Sequence, residues 1–268
     1  MPAIRTPAVA GLFYPGDPRQ LEHDVRGFLH EARPQTLIPK ALIVPHAGYI
    51  YSGAIAASAY ATLKDHAAAI RHVVLLGPTH RVAVRGLALP DAEAFDTPLG
   101  RVKLDTAAME AIVRLPQVSI SAEVHEEEHS LEVQLPFLQC VLDDFTLLPL
   151  AVGMASAEEV SEVLEAVWGG EDTLIVISSD LSHYLPYAAA QFTDSQTAED
   201  IVKLHQPIDH EHACGGTPIS GLILAARKHH LKPHLLDLRN SGDTSGTRDR
   251  VVGYAAFAFT EEDSHVQH

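Results

Sequence analysis

The sequence has little cysteine and no long apolar run. Only two cysteines occur among its 268 residues, so we do not expect a disulfide framework. The longest apolar stretches, such as 251–259, fall far short of the roughly 20 residues that a membrane helix needs. The N-terminal stretch lacks the apolar core of a secretory signal. We therefore predict a cytoplasmic protein with no membrane partner.

Clusters of basic residues are missing as well. The chain has 19 Lys and Arg against 35 Asp and Glu, a formal net charge of −16. Without a basic run to neutralise phosphates, nucleic acid is not an expected partner. The residue present in unusual number is histidine, with 17 copies. The histidines are therefore the first candidates for functional residues.

Short apolar runs alternate with stretches of helical periodicity. The runs at 41–45, 72–77 and 173–178 are rich in branched residues and do not alternate with polar ones, which is typical of strands buried on both faces. Further strands are predicted at 145–152, 234–239 and 251–259, and helices at 53–63, 106–115, 130–142, 155–168, 195–204 and 218–230. This order predicts an α/β fold with a central, largely parallel (mixed) β-sheet flanked by helices. We expect a single domain over 1–268, with the Pro/Gly-rich opening and the tail 261–268 at the surface.

Histidines follow two of the predicted central strands, and a third strand is followed by an Asp/His pair. Ligands of open α/β sheets bind beyond the carboxyl ends of the strands. The loops at this edge carry His46, His80 and the pair Asp180 and His183. We interpret them as lining one crevice. The alternative is chance, because histidine is frequent in this chain and loops are polar in any case.

Cys214 is a second candidate for chemistry. It precedes a helix that is predicted to begin at Pro218, with Thr217 as its N-cap. The N-terminus of a helix lowers the pKa of a thiol and favours the thiolate, although simple burial is the alternative. Two imidazoles and one anionic ligand could hold iron, copper or zinc, and the spacing does not choose among them. Cys140, which lies in a helical apolar pattern, is interpreted as a buried hydrophobe.

A competing motif occurs between His125 and His129, which formally match the zinc-protease pattern H-E-x-x-H. The stretch 118–124 alternates like a strand, however, and a helix is predicted to begin near Ser130. The two histidines therefore do not share a helix. We interpret the segment as a solvated acidic loop, with His129 facing the crevice. The chain also lacks a serine elbow and a phosphate-binding glycine loop.

Taken together, five loop motifs resemble those of the Memo family, also described as protein B of the AmmeMemoRadiSam system. They are PHAGYIYSG, GPTH, EEHSLEVQLPF, SSDLSHY and CGGTPI, in the order of the family. The opening AGLFYP and the late VVGYAAFAF fit as well, so the resemblance covers nearly the whole chain. It implies a fold similar to the catalytic subunit of class III extradiol dioxygenases, which are non-haem iron enzymes.

The resemblance also implies a set of site residues. The metal ligands are His46, His80 and Cys214, and the residues beside the metal or lining its pocket are Asp180, His183 and His129. Fe(II) is the expected cofactor, with copper or zinc as alternatives. The dioxygenases use two histidines and a carboxylate, so a cysteine ligand departs from their pattern. A thiolate makes the metal less Lewis acidic and is itself oxidisable, so ring cleavage is not implied.

We therefore expect a metal-dependent, dioxygenase-like oxidoreductase that acts on a small-molecule substrate. Its predicted catalytic residues are His183 as general acid/base, Asp180 to orient it, and His129. The alternatives are a non-catalytic copper- or iron-binding or scaffold protein and, with less support, a zinc hydrolase. The resemblance further implies a radical S-adenosylmethionine protein and a companion protein as partners.

Overall fold

The chain folds into alternating strands and helices around one large sheet. The computed structural model describes residues 3–33 and 35–261. The strands are β1 (Ile4–Arg5), β2 (Pro39–Val44), β3 (His72–Pro78), β4 (Leu87–Leu89), β5 (Ala94–Thr97), β6 (Gly100–Lys103), β7 (Val118–Ile120), β8 (Thr146–Val152), β9 (Thr173–Ser178), β10 (His183–Leu185), β11 (Leu231–Asn240) and β12 (Val251–Glu261). The α-helices are α1 (Pro18–Glu31), α2 (Tyr49–Tyr60), α3 (Thr106–Ile112), α4 (Ala122–Glu126), α5 (Leu135–Val141), α6 (Ala157–Ala166), α7 (Tyr187–Val202) and α8 (Gly216–Lys228). Within the described residues, no helix is both long and apolar enough to cross a membrane.

Four neighbouring strands form the parallel centre of the sheet. The order across the sheet is β10-β12-β2-β9-β3-β8-β4-β7, and β11 pairs with β12. Strands β2, β9, β3 and β8 run parallel to one another, whereas β12 is antiparallel to β2 and β4 is antiparallel to β8. A second sheet has the order β1-β5-β6. The predicted fold class, a largely parallel mixed sheet flanked by helices, is confirmed.

Helices cover both faces of the central strands, which explains their unbroken apolar runs. In β9, Leu174 and Val176 pack into the cluster that includes α1, α2 and α5. Their neighbours Ile175 and Ile177 pack into the opposite cluster, which includes α6 and α8. All residues of β9 are buried. Because neither face meets water, polar residues do not need to alternate with apolar ones.

The N-terminal segment is more buried than its composition predicts. Helix α1 is absent from the prediction, although Asp17 caps its first turn and Pro18 opens it. Before this helix, Arg5 and Tyr14 are buried. The expectation of a surface segment is therefore wrong here. Of the predicted surface tail, all but Glu261 lies outside the described residues.

Two element boundaries differ clearly from the prediction. The strand expected over 118–124 ends at Ile120, because the hydroxyl of Ser121 caps helix α4. Helix α7 begins at Tyr187 rather than at Ser195. Its first turn is rich in alanine, which carries no clear apolar periodicity. In both cases a local signal ends or extends an element that the hydrophobic pattern alone misplaces.

A buried carboxylate ties the N-terminal segment to the body of the protein. Glu132 accepts hydrogen bonds from the backbone amides of Ala8 (2.7 Å) and Val9 (3.0 Å) and forms an ion pair with Arg5. The hydroxyl of Tyr14 also donates to it. The side chains of Glu132 and Arg5 are 0% and 6% exposed. A charge at such depth is stable only when it is paired and hydrogen-bonded, so each partner depends on the other.

We expect the substitution Glu132→Gln to lower the free energy of unfolding by about 3–5 kcal/mol, because it leaves the Arg5 guanidinium buried without a counter-charge. Urea denaturation measures this change. The matched control is Glu110→Gln, at an exposed position of α3, which should stay within about 0.5 kcal/mol of the parent protein. Equal midpoints and slopes for the two variants would contradict the anchoring role of Glu132.

Candidate metal centre

Three histidine rings meet beyond the carboxyl ends of the central strands. His46 follows β2, His80 follows β3, and His129 lies between α4 and α5. The ring centroids are 5.2 Å apart for His46 and His80, 5.6 Å for His46 and His129, and 4.7 Å for His80 and His129. One nitrogen of each ring lies within 4.8 Å of the other two. This histidine cluster (His46, His80 and His129) could hold a divalent metal ion.

A buried carboxylate orients His80. The ring Nδ1 of His80 lies 2.9 Å from Oε1 of Glu128, and the His80 backbone amide donates to Oε2 (2.6 Å). Burial by itself raises the pKa of Glu128, but hydrogen bonds from His80 and from the Ser130 amide outweigh it and lower the pKa to about 2. An ionised carboxylate only accepts, so Nδ1 carries the proton. In the neutral ring of His80 the lone pair is then on Nε2, as in the carboxylate–histidine pairs of metal sites.

A hydroxyl fixes the same tautomer at His46. Oγ of Ser178 donates to the carbonyl of Ser130 (2.6 Å) and accepts from Nε2 of Gln134 (2.8 Å). The same Oγ lies 2.9 Å from Nδ1 of His46. Because the one hydroxyl proton is already used, Nδ1 of His46 is the donor in this contact. Nε2 of His46 therefore also presents a lone pair.

Burial keeps two of the three histidines, His46 and His129, neutral. Burial and the neighbouring His80 lower the pKa of His46 to about 3. Burial and the neighbouring His46 lower the pKa of His129 to about 4. Neutral imidazole is the form that binds metals. At neutral pH, neither His46 nor His129 has to lose a proton before it can act as a ligand.

Cys214 lies beside the histidine cluster. Its Sγ is 3.4 Å from Nε2 of His46 and accepts a hydrogen bond from the Asp180 backbone amide (3.3 Å). Ordinary bond lengths to a tetrahedral metal would place a histidine nitrogen and a cysteine sulfur about 3.5 Å apart. The thiol and the His46 ring therefore lie at a separation that suits two ligands of one ion.

The protonation state of Cys214 differs from the prediction. Burial and the negative charge of Asp180 raise the pKa of the thiol to about 12. Helix α8 begins at Gly216 rather than at Pro218, and it has no side-chain cap from Thr217 or any other residue. The prediction of a thiolate is wrong for the surroundings that the chain itself provides, since burial outweighs the helix terminus. A cation would have to displace the thiol proton.

Asp180 is buried and His183 is exposed, and the two side chains have different hydrogen-bond partners. Oδ1 of Asp180, a buried residue, accepts a hydrogen bond from the backbone amide of His46 (2.7 Å), and burial raises the pKa of this carboxyl. His183 is exposed, and its Nδ1 lies 2.8 Å from the carbonyl oxygen of Leu181. A carbonyl only accepts, so Nδ1 is protonated and Nε2 is free to take a proton. Within residues 3–33 and 35–261, Asp180 forms no hydrogen bond with His183, so it orients the His46 loop instead.

His125 takes no part in the histidine cluster. It belongs to helix α4, which ends at Glu126, whereas His129 lies beyond the helix. Nε2 of His125 lies 2.8 Å from the carbonyl oxygen of Ala88. The zinc-protease motif requires both histidines on one helical face. The positions of these two residues do not meet that requirement.

Glu128 is the site residue that the sequence analysis misses. The predicted solvent exposure holds for Glu126 and Glu127, although Glu126 ends helix α4 and is not in a loop, and it is wrong for Glu128, which is buried. Its carboxylate accepts four hydrogen bonds, from the His80 ring and from the backbone amides of His80, His129 and Ser130. The available signal was its place directly before His129 in one of the five loop motifs.

Comparison with known proteins identifies the family. The sequence model of the Memo-like protein family matches residues 5–258. A MEMO1 family protein of Metallosphaera sedula is 33% identical over 285 aligned positions, which cover 96% of this chain and 99% of the relative. A MEMO1 family protein of Aquifex aeolicus is 37% identical over 269 positions, with the same coverage of 96% and 99%. The chain belongs to the Memo-like family, and the resemblance noted in the sequence is confirmed.

A solved structure is similar in fold. The crystal structure of an uncharacterized protein from Escherichia coli K12 superposes with a TM-score of 0.50 and covers 81% of this chain and 98% of that protein. The two sequences are 14% identical. At this identity the similarity concerns the fold alone.

We expect the substitution Glu128→Gln to weaken zinc binding by about 10- to 100-fold, because a neutral amide with one acceptor oxygen cannot hold both the ring and the amide of His80. A competition titration of Zn²⁺ against a fluorescent chelator measures the affinity. The control is Glu127→Gln, at the exposed neighbouring position, which should bind zinc like the parent protein. Equal affinities for the two variants would rule out the orienting role of Glu128.

Proposed function

We propose that this protein is a metal-dependent oxidoreductase with Fe(II) as its cofactor and a small molecule as its substrate. His46, His80 and Cys214 are the proposed ligands, and His129 completes the donor set. The main support for this proposal is a cavity of about 420 Å³ whose lining includes His80 and Cys214. A site for metal storage needs no such space beside its ligands, whereas a reaction needs room for a substrate.

The number of donors favours iron over zinc. Zinc in proteins is usually four-coordinate, and a catalytic zinc keeps one position for water. Three imidazoles and one thiolate would fill a tetrahedral zinc completely, whereas six-coordinate Fe(II) would keep two positions free. Bound Fe(II) supplies the one-electron chemistry that allows O₂ to react with an organic molecule. The zinc-hydrolase alternative has less support for this reason.

The remaining residues orient the ligands and move protons. Glu128 and Ser178 hold the rings of His80 and His46 with Nε2 directed away from these partners. Asp180 holds the backbone of the His46 loop. His183 is the proposed general acid/base, because its Nδ1 proton is fixed by the Leu181 carbonyl while Nε2 stays free and exposed.

A second candidate function is the sequestration of copper. The observation in its favour is the short separation between the Cys214 sulfur and the His46 nitrogen. Thiolate and imidazole together are ligands that suit copper. The metal that the purified protein retains therefore distinguishes the two candidates.

We expect protein purified without oxygen and without a metal-chelating resin to retain close to one iron per chain, measured by inductively coupled plasma mass spectrometry. The substitutions His46→Ala and Cys214→Ser should each remove most of it, because each deletes a ligand. The control is His23→Ala, an exposed histidine of α1, which should keep the parent iron content.

A protein that retains copper, or that takes up no metal, would contradict the proposed iron enzyme. A dominant copper content would support sequestration instead. A parent protein that takes up neither metal in subsequent Fe(II) and Cu(I) titrations, with variants of equal thermal stability, would overturn the metal-dependent proposal.

We expect the substitution His183→Ala to lower O₂ consumption by about 100- to 10,000-fold while the iron content stays unchanged, since it removes a proton carrier and no ligand. An oxygen electrode with catechol-like and other small candidate substrates measures the rate, and metal analysis accompanies each assay. His23→Ala again serves as the control. Loss of iron from the His183 variant would instead identify this histidine as a ligand.

A further inference from the structure

The cavity beside the histidine cluster has two distinct walls. One wall consists of the loop after β3, through Val84, and the end of β8, through Ala155. The second wall consists of His210, Cys214 and Thr217, around the start of helix α8. Its volume of about 420 Å³ falls at the low end of the range for small-molecule sites, about 300–1,000 Å³.

The first wall is rigid. The amide of Thr79 donates to the Val152 carbonyl (3.0 Å), and the amide of Met154 donates to the Val84 carbonyl (2.8 Å). Gly153 allows this close approach, because a Cβ at this position would lie 2.1 Å from the Val84 carbonyl oxygen. These backbone hydrogen bonds hold the loop after β3 at a fixed distance from the end of β8. The shape of this wall does not depend on a ligand.

Most of the same wall beyond Arg81 is apolar. Val82, Val84, Val152, Met154 and Ala155 line it, and Met154 is 72% exposed. Methionine packs against ligands of different shapes because its side chain is flexible and polarisable. Such a surface contacts the hydrocarbon part of a ligand.

The charged group at this cavity is Arg81. It is exposed, and within the part of the chain that the structure describes its guanidinium forms neither an ion pair nor a hydrogen bond. No aspartate or glutamate is among the lining residues of the described chain. Because no carboxylate lies among the described lining residues, Arg81 is available to pair with the anionic group of a ligand.

The second wall adds polar groups. The Thr217 hydroxyl and the His210 ring are hydrogen-bonded to each other at 2.9 Å. Thr217, in the first turn of helix α8, lines the cavity, so the positive end of the helix dipole lies at the same region. The dipole of helix α8 and the positive charge of Arg81 both favour an anionic ligand in this cavity.

We propose that this cavity is the substrate site of the oxidoreductase proposed above, and that its substrate class is a small organic carboxylate with an apolar body. The inference rests on that proposed function. Arg81 binds the carboxylate, and the wall from Val82 to Val84 contacts the hydrocarbon part. The other end of the molecule lies at His80 and Cys214. A carboxylate suits a single arginine, since the guanidinium offers it two parallel hydrogen bonds.

Isothermal titration calorimetry with 3-phenylpropionate as the probe tests this assignment. The titration uses the full chain, both as purified with its metal and after treatment with a chelator. We expect saturable binding in both forms, and a Kd that rises about 10-fold or more in Arg81→Gln, because a charge-assisted hydrogen bond is lost. The matched control is Arg85→Gln, an exposed arginine of the same loop that does not line the cavity, and its Kd should match the parent value.

Three further probes separate the parts of the proposal. The isosteric amide 3-phenylpropionamide should bind the parent protein about as weakly as 3-phenylpropionate binds Arg81→Gln. Acetate, which lacks the apolar body, should bind about 10-fold more weakly than 3-phenylpropionate. Phenyl phosphate tests the other common anion, and tighter binding of it than of the carboxylate would overturn the substrate class.

The remaining outcomes distinguish this inference from the proposed function. Binding that occurs only with metal present and is insensitive to Arg81 would place the probe on the metal and overturn the inference. Absence of saturable binding by all four probes would also overturn it, even in a protein that retains iron. Arg81-dependent binding in a protein that takes up no metal would instead preserve the anion site and remove the oxidoreductase proposal.

Discussion

The site depends on one short segment, residues 128–134, which hydrogen-bonds to the ends of three strands. Glu128 holds the His80 loop beyond β3, and Ser130 donates through its hydroxyl to the Pro78 carbonyl (2.8 Å). Gln134 donates to the Pro45 carbonyl (2.9 Å) beyond β2 and to Ser178 at the end of β9. These polar groups are buried, so each is stable only because its partner is in place. The same bonds that join the strand ends also determine which nitrogen of His46 and His80 is free.

The segment also controls the outer side of the histidine cluster. Glu132 anchors the N-terminal segment, and that segment carries Phe13, whose ring lies 4.8 Å from the ring of His129. His129 in turn stacks on His80. The N-terminal segment therefore covers one side of the cluster with an aromatic ring. Coverage of this kind excludes water and contributes to the burial that keeps His129 neutral.

The sequence predicts the part of the structure that depends on local pattern. Strands with unbroken branched residues, such as β9, are recognisable because both of their faces are buried, and the loops that carry His46 and His80 follow from the topology of a parallel sheet. The burial of Glu128 is not predictable in this way. It depends on contacts with His80, 48 residues away along the chain, and an acidic run gives no local sign of which member turns inward.

The protonation state of Cys214 also cannot be predicted from the local sequence. A cysteine just before a helix has a local reason to be ionised, but its pKa responds to everything that surrounds it. Here burial and the Asp180 charge oppose the helix terminus and prevail. The donor set is thus asymmetric: His46 and His129 are neutral and ready to bind, whereas the sulfur holds its proton until a cation replaces it. In the proposed metal site an ion would gain the thiolate ligand only by displacing that proton, whereas His46 and His129 would bind without such a step.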